Sequence, residues 1–282
     1  MLSIKPCSIN LMTFLNKLSS AWKLNDSLLC IGLDPNWEML PEHLKDQPFP
    51  IFEFCKEIID ATHDLVCGYK PQIAYFAALA AEDQLQMVCD YIHKEYPNLP
   101  IILDSKRGDI GSTAAMYAKE AFERYKADAV TINPYMGQDS AQPFLDYKEK
   151  GVVLLCRTSN TGASDIQDLE VEGSPLYERV ASMISRQWNT NGNCCIVVGA
   201  TWPEQMKRLR EITGNMPFLV PGVGAQGGDV EAIVKAGQTS DGLGLIVNSA
   251  RAVIYAGADA NFANAARQVA IDTRDLINKF RA

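Results

Sequence analysis

Histidine is nearly absent. The chain has three, His43, His63 and His93, each in a polar stretch of helical character. So few argue against a zinc site and against Ser-His or Cys-His nucleophile pairs. The eight cysteines contain no CxxC pair and are scattered through apolar runs. They read as small core residues of a reduced, cytoplasmic protein rather than as a disulfide scaffold. Basic residues are outnumbered, 26 Lys and Arg against 34 Asp and Glu, for a net charge of −8. That balance argues against a broad nucleic-acid-binding face, and any anionic ligand must be drawn by a local cluster of cations and backbone N–H groups. No apolar run approaches the roughly 18 residues needed to span a bilayer. The opening MLSIKPCSINLM lacks the charged-then-apolar pattern of a signal peptide. Met12 precedes an amphipathic stretch, TFLNKLSSAW, so residues 1–11 read as an N-terminal extension, disordered in expectation, and residues 12–282 as the folded part.

What the chain does have is a recurring short apolar run: LLCIGL (28–33), LVCGYK (65–70), PIILDS (100–105), DAVTIN (128–133), VVLLC (152–156), CCIVVG (194–199), PFLVPG (217–222) and DGLGLIV (241–247). These are continuously hydrophobic, as strands buried on both faces are, and do not alternate as half-exposed strands do. Helix-patterned segments separate them. Beyond Ser112, residues Ala115, Ala118, Phe122 and Tyr125 fall on one helical face, with Glu120 and Arg124 as an outward i,i+4 pair. Ser174-Pro175 reads as a cap followed by proline at the first helical position, and 259–280 as a closing helix. Eight such units, spaced roughly 30 residues apart, predict a single-domain α/β fold, a (β/α)₈ TIM barrel. The alternative, a doubly wound open sheet, ordinarily carries a glycine-rich first turn, and the first turn here is GLDPNW.

In a barrel, function gathers at the C-terminal ends of the strands. The first run ends in Asp34, the second in Lys70, and the third in Asp104, Lys106 and Asp109 within LDSKRGDIGSTA. The fourth ends in Asn133-Pro134-Tyr135. The fifth opens into the polar loop TSNTGASDIQDLEVEGS (158–174), long enough to be a lid or a disordered segment. Asp104 and Lys106, two apart, should point the same way on a strand. With Lys70 and Asp109 they can form an array of alternating charge that keeps its lysines protonated and its carboxylates ionised. Asp109, beyond the strand, can fold back or reach a neighbouring subunit. The plainer reading of the same residues is a salt-bridge network closing the barrel rim. The seventh run gives PGVGAQGGD (221–229), whose glycines let backbone N–H groups approach an anion, and the eighth gives NSAR (248–251), with a helix start and the guanidinium of Arg251. A tight turn and a surface arginine would look the same.

GLDP, YKPQ, LDSKRGDIGSTA, PGVGAQGGD and NSAR together resemble the orotidine 5′-phosphate decarboxylase family, and its longer bacterial members most. The resemblance runs from about residue 12 to the C-terminus. It implies a (β/α)₈ homodimer that converts the small-molecule substrate orotidine 5′-monophosphate to UMP and CO₂, the last step of de novo pyrimidine (UMP) biosynthesis, without metal or organic cofactor. On that resemblance Lys106 is the proton donor to C6, Asp104 the carboxylate beside the departing CO₂, and Lys70 the second lysine of the charged network. Asp109 and Thr113 act across the dimer interface. Asp34 binds a ribose hydroxyl, Ser159 contacts the pyrimidine, Gln226 bridges phosphate and base from the lid, and Arg251 holds phosphate. Asn160-Thr161-Gly162 stands where the family usually carries a proline, which leaves the base contact among Thr158, Ser159 and Asn160. NSAR carries one residue more than in shorter members. The alternative is a Mg²⁺-dependent sugar-phosphate decarboxylase or aldolase of the same superfamily, which shares the DxKxxD spacing but places a glutamate where Lys70 stands.

Overall fold

A computed structural model describes residues 12–222 and 229–282. Eight parallel strands form one sheet: β1 Leu29–Leu33, β2 Gly68–Pro71, β3 Ile102–Arg107, β4 Ala129–Ile132, β5 Gly151–Arg157, β6 Cys194–Val198, β7 Phe218–Pro221 and β8 Leu245–Ser249. Their order is β2-β1-β8-β7-β6-β5-β4-β3. Parallel bridges Tyr69↔Ile101 and Gln72↔Asp104, with Tyr69 N–H donating to the Pro100 carbonyl at 3.0 Å, close the two ends into a barrel. All residues of β1, β2, β4, β6 and β8 are buried, as their unbroken hydrophobicity requires between a filled interior and an outer ring of helices. The seven described cysteines are all buried and unpaired. No described helix is long and apolar enough to cross a membrane.

The strands start or end a few residues away from the apolar runs. Leu65–Cys67 precede β2, so Lys70 lies inside the strand. DGLG turns through Gly242 and Gly244, both at positive φ, so β8 begins at Leu245 and contains Asn248 and Ser249. The helix after β3, Gly111–Lys119, buries Ala114 and Ala118 but exposes Ala115. A π turn over Glu120–Arg124 inserts an extra residue, with Tyr125 N–H reaching back to the Glu120 carbonyl. That rotation undoes the expected Glu120–Arg124 pair: Glu120 receives Arg107 at 2.8 Å, and Arg124 approaches Asp83 at 3.7 Å. Ser174-Pro175 pairs with Glu170-Val171 in a short antiparallel ladder, so Pro175 precedes the helix Leu176–Met183 as its extended cap and is not its first residue. The long loop after β5 is folded, with a 3₁₀ turn at Thr161–Ala163 and a helical turn at Ser164–Gln167. The closing helix spans Phe262–Asn278.

The helix Phe14–Leu24, capped by Thr13, underlies the N-terminal end of the barrel. Its Phe14 ring lies where a side chain on Gly151 would have to go: a Cβ there would fall 2.2 Å from Phe14 Cδ1 and 2.8 Å from Ala129 Cβ. Gly151→Ala is therefore expected to destabilise the fold by about 1–3 kcal/mol through overpacking, read as a fall of several degrees in melting temperature. An unchanged melting temperature would contradict this packing.

Candidate functional site

β3 does not run straight through the site. It pairs with β4 at Leu103↔Val130 and again at Arg107↔Ile132, with a register shift between. Lys106 sits in that irregularity at φ 47°. Asp104 and Lys106 do meet, with Lys106 Nζ 2.6 Å from Asp104 Oδ1. Their meeting depends on the bulge as well as on strand alternation. The Lys70 ammonium, from β2, takes the other carboxylate oxygen, Oδ2, at 2.7 Å. The side chains of Lys70 and Asp104 are 5% and 7% exposed, whereas that of Lys106 is 48% exposed and reaches into the open mouth. Sequence reading missed the fourth member: Thr131 Oγ1, from β4, donates to Asp104 Oδ1 at 2.9 Å. Only its position in DAVTIN beside the LDSK strand hinted at it.

Burial by itself would push the Asp104 carboxyl up, but Lys70 and Lys106 outweigh it and hold the group well below the usual carboxylate range. Burial likewise opposes charge on Lys70, and the facing carboxylates of Asp104 and Asp34 more than restore it, leaving its pKa raised. Asp104 thus stays ionised and Lys70 protonated. Asp34 behaves oppositely. Its Oδ1 is buried without a hydrogen-bond partner, and desolvation raises its pKa despite the nearby lysines. Its loop is pinned from β8's side of the barrel: Tyr255 OH donates to the Asp34 carbonyl at 2.8 Å and accepts from Asn36 N–H at 2.6 Å. Asn248 Oδ1 is a second buried, unpartnered acceptor, 3.3 Å from where a Cβ on Gly32 would stand.

Asp109 lies in the turn after β3, half-buried, accepting its neighbour Ile110's N–H at 2.8 Å, while Ser140 Oγ donates to its carbonyl at 2.5 Å. It makes no ion pair with Lys70 or Lys106 among the described residues, so one chain assembles three of the four expected charges. Thr113 is exposed on the helix Gly111–Lys119. Arg251 is exposed at the start of the short helix Arg251–Ile254, directly after the buried Asn248 and Ser249 of β8. Gln226, and the glycine-rich segment from 223 to 228, lie outside the described residues.

Thr158, Ser159 and Asn160 follow β5 and are fixed by Arg157, the strand's last residue and fully buried. Its guanidinium lies 4.1 Å from the Trp202 ring centroid, donates to Asp168 at 3.1 Å and to Gln167 Oε1 at 3.2 Å. Gln167 in turn holds Thr158 through its N–H (2.9 Å) and its hydroxyl (2.8 Å), and Trp202 Nε1 donates to the Thr158 carbonyl at 2.9 Å. Gly199 abuts Ser159 so closely that a Cβ there would lie 2.7 Å from that residue's Cβ. These contacts explain why a seventeen-residue polar stretch is folded rather than loose. A cavity of about 700 Å³ lies beside it, between Asn133–Tyr135, Asn160–Ala163 and the helix Leu176–Met183.

The family described as Orotidine 5′-phosphate decarboxylase / HUMPS matches residues 27–268. An orotidine 5′-phosphate decarboxylase of Dechloromonas aromatica (strain RCB) is 61% identical over 270 residues, spanning 96% of this chain and all of its own. Among solved structures, Leishmania donovani OMP decarboxylase is 37% identical with a TM-score of 0.81, covering 94% of this chain and 99% of that one. Leishmania donovani UMP synthase is 39% identical with a TM-score of 0.83, covering 95% of this chain and 57% of that longer one.

An unpartnered buried carboxylate favours function over stability. The raised Asp34 pKa means that the stability its carboxyl contributes is complete below the unfolded value of about 4 and is lost as pH rises through the folded value. Asp34→Asn is therefore expected to raise the melting temperature of the free protein at neutral pH. A lowered melting temperature would show that the charge is compensated.

Proposed function

Because the chain belongs to the orotidine 5′-phosphate decarboxylase family, we propose that it is a carboxy-lyase that converts orotidine 5′-monophosphate to UMP and CO₂, the closing step of de novo pyrimidine synthesis. The observation that carries this reading is the Lys106 ammonium, exposed in the barrel mouth and held 2.6 Å from an ionised, buried Asp104 that a second lysine also neutralises. Breaking the bond from C6 to the carboxylate leaves an electron pair on a ring carbon with no conventional sink. Accelerations of up to about 10¹⁷-fold correspond to about 23 kcal/mol, more than any one contact supplies. A positive charge already in place where negative charge develops does not have to reorganise during the reaction. Lys106 Nζ then gives its proton to C6 and is reprotonated from solvent. Asp104, beside the substrate carboxylate, adds repulsion that is relieved as CO₂ departs. Remote binding of phosphate by Arg251 and the 221–229 segment, and of a ribose hydroxyl by Asp34, supplies binding energy for ordering these charges. In this reading Ser159, or its neighbour Thr158 or Asn160, reads the pyrimidine, and Gln226, outside the described residues, bridges base and phosphate.

No metal enters this scheme. Both oxygens of Asp104 already take ammonium groups, and Lys70 would repel a divalent cation at the position where a Mg²⁺-dependent relative carries a ligand. An ultraviolet assay that follows the pyrimidine chromophore tests both points. Turnover of orotidine 5′-monophosphate should be insensitive to EDTA, and Lys106→Ala should abolish it by at least about 10⁴-fold while still binding UMP. Near-normal activity of Lys106→Ala, or loss of wild-type activity in chelator, would refute the scheme.

The missing fourth charge points to a second subunit. Asp109 and Thr113 lie beside exposed Ile110, Met116 (63% exposed), Tyr135 (81%) and Met136, large apolar side chains that a monomer gains nothing by showing to water. The reading is a homodimer, in the reducing cytoplasm that its free cysteines suit, in which Asp109 completes the partner's array and Thr113 contacts the partner's ligand. Mixing inactive Asp109→Ala and Lys106→Ala subunits should then restore up to about a quarter of wild-type activity, because half of the randomly mixed dimers are hybrids carrying one intact site. Exchange of subunits without recovery would place Asp109 in its own chain's site.

A further inference from the structure

Opposite the single Thr131 of β4, β3 places three residues, Asp104, Ser105 and Lys106, between the paired positions Leu103↔Val130 and Arg107↔Ile132. A bulge of that size removes ladder hydrogen bonds and leaves peptide N–H groups that must be satisfied some other way. The Thr131 hydroxyl, in a residue 1% exposed, takes over that work. Its oxygen accepts from the N–H of Ser105 and from the N–H of Lys106, both at 2.9 Å, and it donates to Asp104 Oδ1 at 2.9 Å. A hydroxyl has two lone pairs and one proton, and here all three are committed. Two of the partners can only donate, so the proton is forced onto the carboxylate. Ser105 Oγ returns a hydrogen bond to the Thr131 carbonyl at 3.3 Å. Lys106 meanwhile sits at φ 47°, a left-handed conformation that a long L side chain adopts only where its surroundings over-determine it.

We infer that Thr131 is a positioning residue for the decarboxylation: one hydroxyl locks the backbone bulge that aims the Lys106 ammonium and also fixes the carboxylate that holds it. The inference rests on Lys106 being the proton donor to C6. It goes beyond that role in saying what sets the donor's aim. The lysine's own side chain is half exposed and flexible, so the aim has to come from its backbone and from its anchor, and Thr131 touches both. A displacement of about 1 Å at a reacting group can cost on the order of 100-fold in rate.

The test compares Thr131→Val, which keeps the shape and removes the hydroxyl, with Thr131→Ser, which keeps the hydroxyl. Four quantities are measured: kcat, the inhibition constant of UMP, exchange of the C6 hydrogen of UMP in D₂O, and melting temperature. In the exchange, C6 gives its proton to the neutral Lys106 amine and later takes a deuteron back, so it reports the aim of the amine without loss of CO₂. Thr131→Val should lose about 10- to 100-fold in kcat and in C6 exchange together, with UMP inhibition within about threefold of wild type, and Thr131→Ser should recover most of both. Thr131→Val with kcat and exchange within twofold of wild type overturns the inference. So does a fall in which UMP binding and melting temperature drop in step with kcat and serine restores nothing, because Thr131 is then only scaffold. Lys106→Ala, run alongside, separates the two ideas: residual turnover there withdraws the donor role itself, whereas an inactive Lys106→Ala beside an undiminished Thr131→Val withdraws only the part played by Thr131.

Discussion

Two ammonium groups share one buried carboxylate at the mouth of the barrel, and the rest of the site is organised around that sharing. Lys70 cannot be buried as a cation unless Asp104 is ionised, and Asp104 cannot stay ionised at its depth unless at least one lysine faces it. The pair fixes the protonation states over the whole neutral range, so no proton has to be taken up or lost before a substrate is bound. Lys106 is the member that shares the charge without sharing the burial. It is anchored by Asp104 while about half of its side chain stays exposed, which suits the proton donor proposed above.

The same region gathers several local departures from stable design. Lys106 is at positive φ within a bulge, Asp34 and Asn248 carry buried oxygens with no partner, and large apolar side chains stand exposed beside Asp109. Each opposes folding in the isolated chain: Thr131 answers the bulge, a bound ligand would bring donors for the two oxygens, and the proposed second subunit would bring an apolar face for the side chains. The remainder of the barrel, with fully buried strands and a helix packed beneath its N-terminal end, supplies the surplus stability that such a rim requires.

The barrel was legible because a strand buried on both faces has no alternation to hide. Eight continuously apolar runs in a row leave few other architectures, and charges at their C-terminal ends stand out against them. The edges were less legible. A π turn after Lys119 turned Glu120 and Arg124 to different partners, and the Ser174-Pro175 dipeptide, which reads equally well as a cap or as extended chain, was taken up by a two-residue ladder. Those outcomes depend on neighbours distant in sequence. At the site, residue type was enough for Asp104, Lys106 and Lys70, because unpaired charges at a rim demand an explanation. Thr131 was barely legible for the opposite reason: a β-branched residue in the middle of a strand is what any strand would carry, and beyond its place beside the LDSK strand nothing in DAVTIN distinguishes a hydroxyl that packs from one that bonds. Arg157, the last residue of β5, was hidden at the junction with a polar loop, where its burial could not be foreseen.

The members of the array come from different strands, Lys70 from β2, Asp104 and Lys106 from β3, and Thr131 from β4, so their geometry is set by the register of the sheet rather than by any one loop. That arrangement has a consequence for how the site tolerates change. Asp104 Oδ1 receives both Lys106 and Thr131, and Oδ2 receives Lys70, so removing any one donor alters the position and the charge felt by the others. Contributions measured one residue at a time will therefore sum to more than the whole, as they do wherever groups act as a unit. Arg251, on its own short helix after β8 and proposed to hold phosphate, shares no hydrogen bond with the array among the described residues. Binding at that end and charge placement at the other are thus separable by mutation, even though a bound nucleotide would join them.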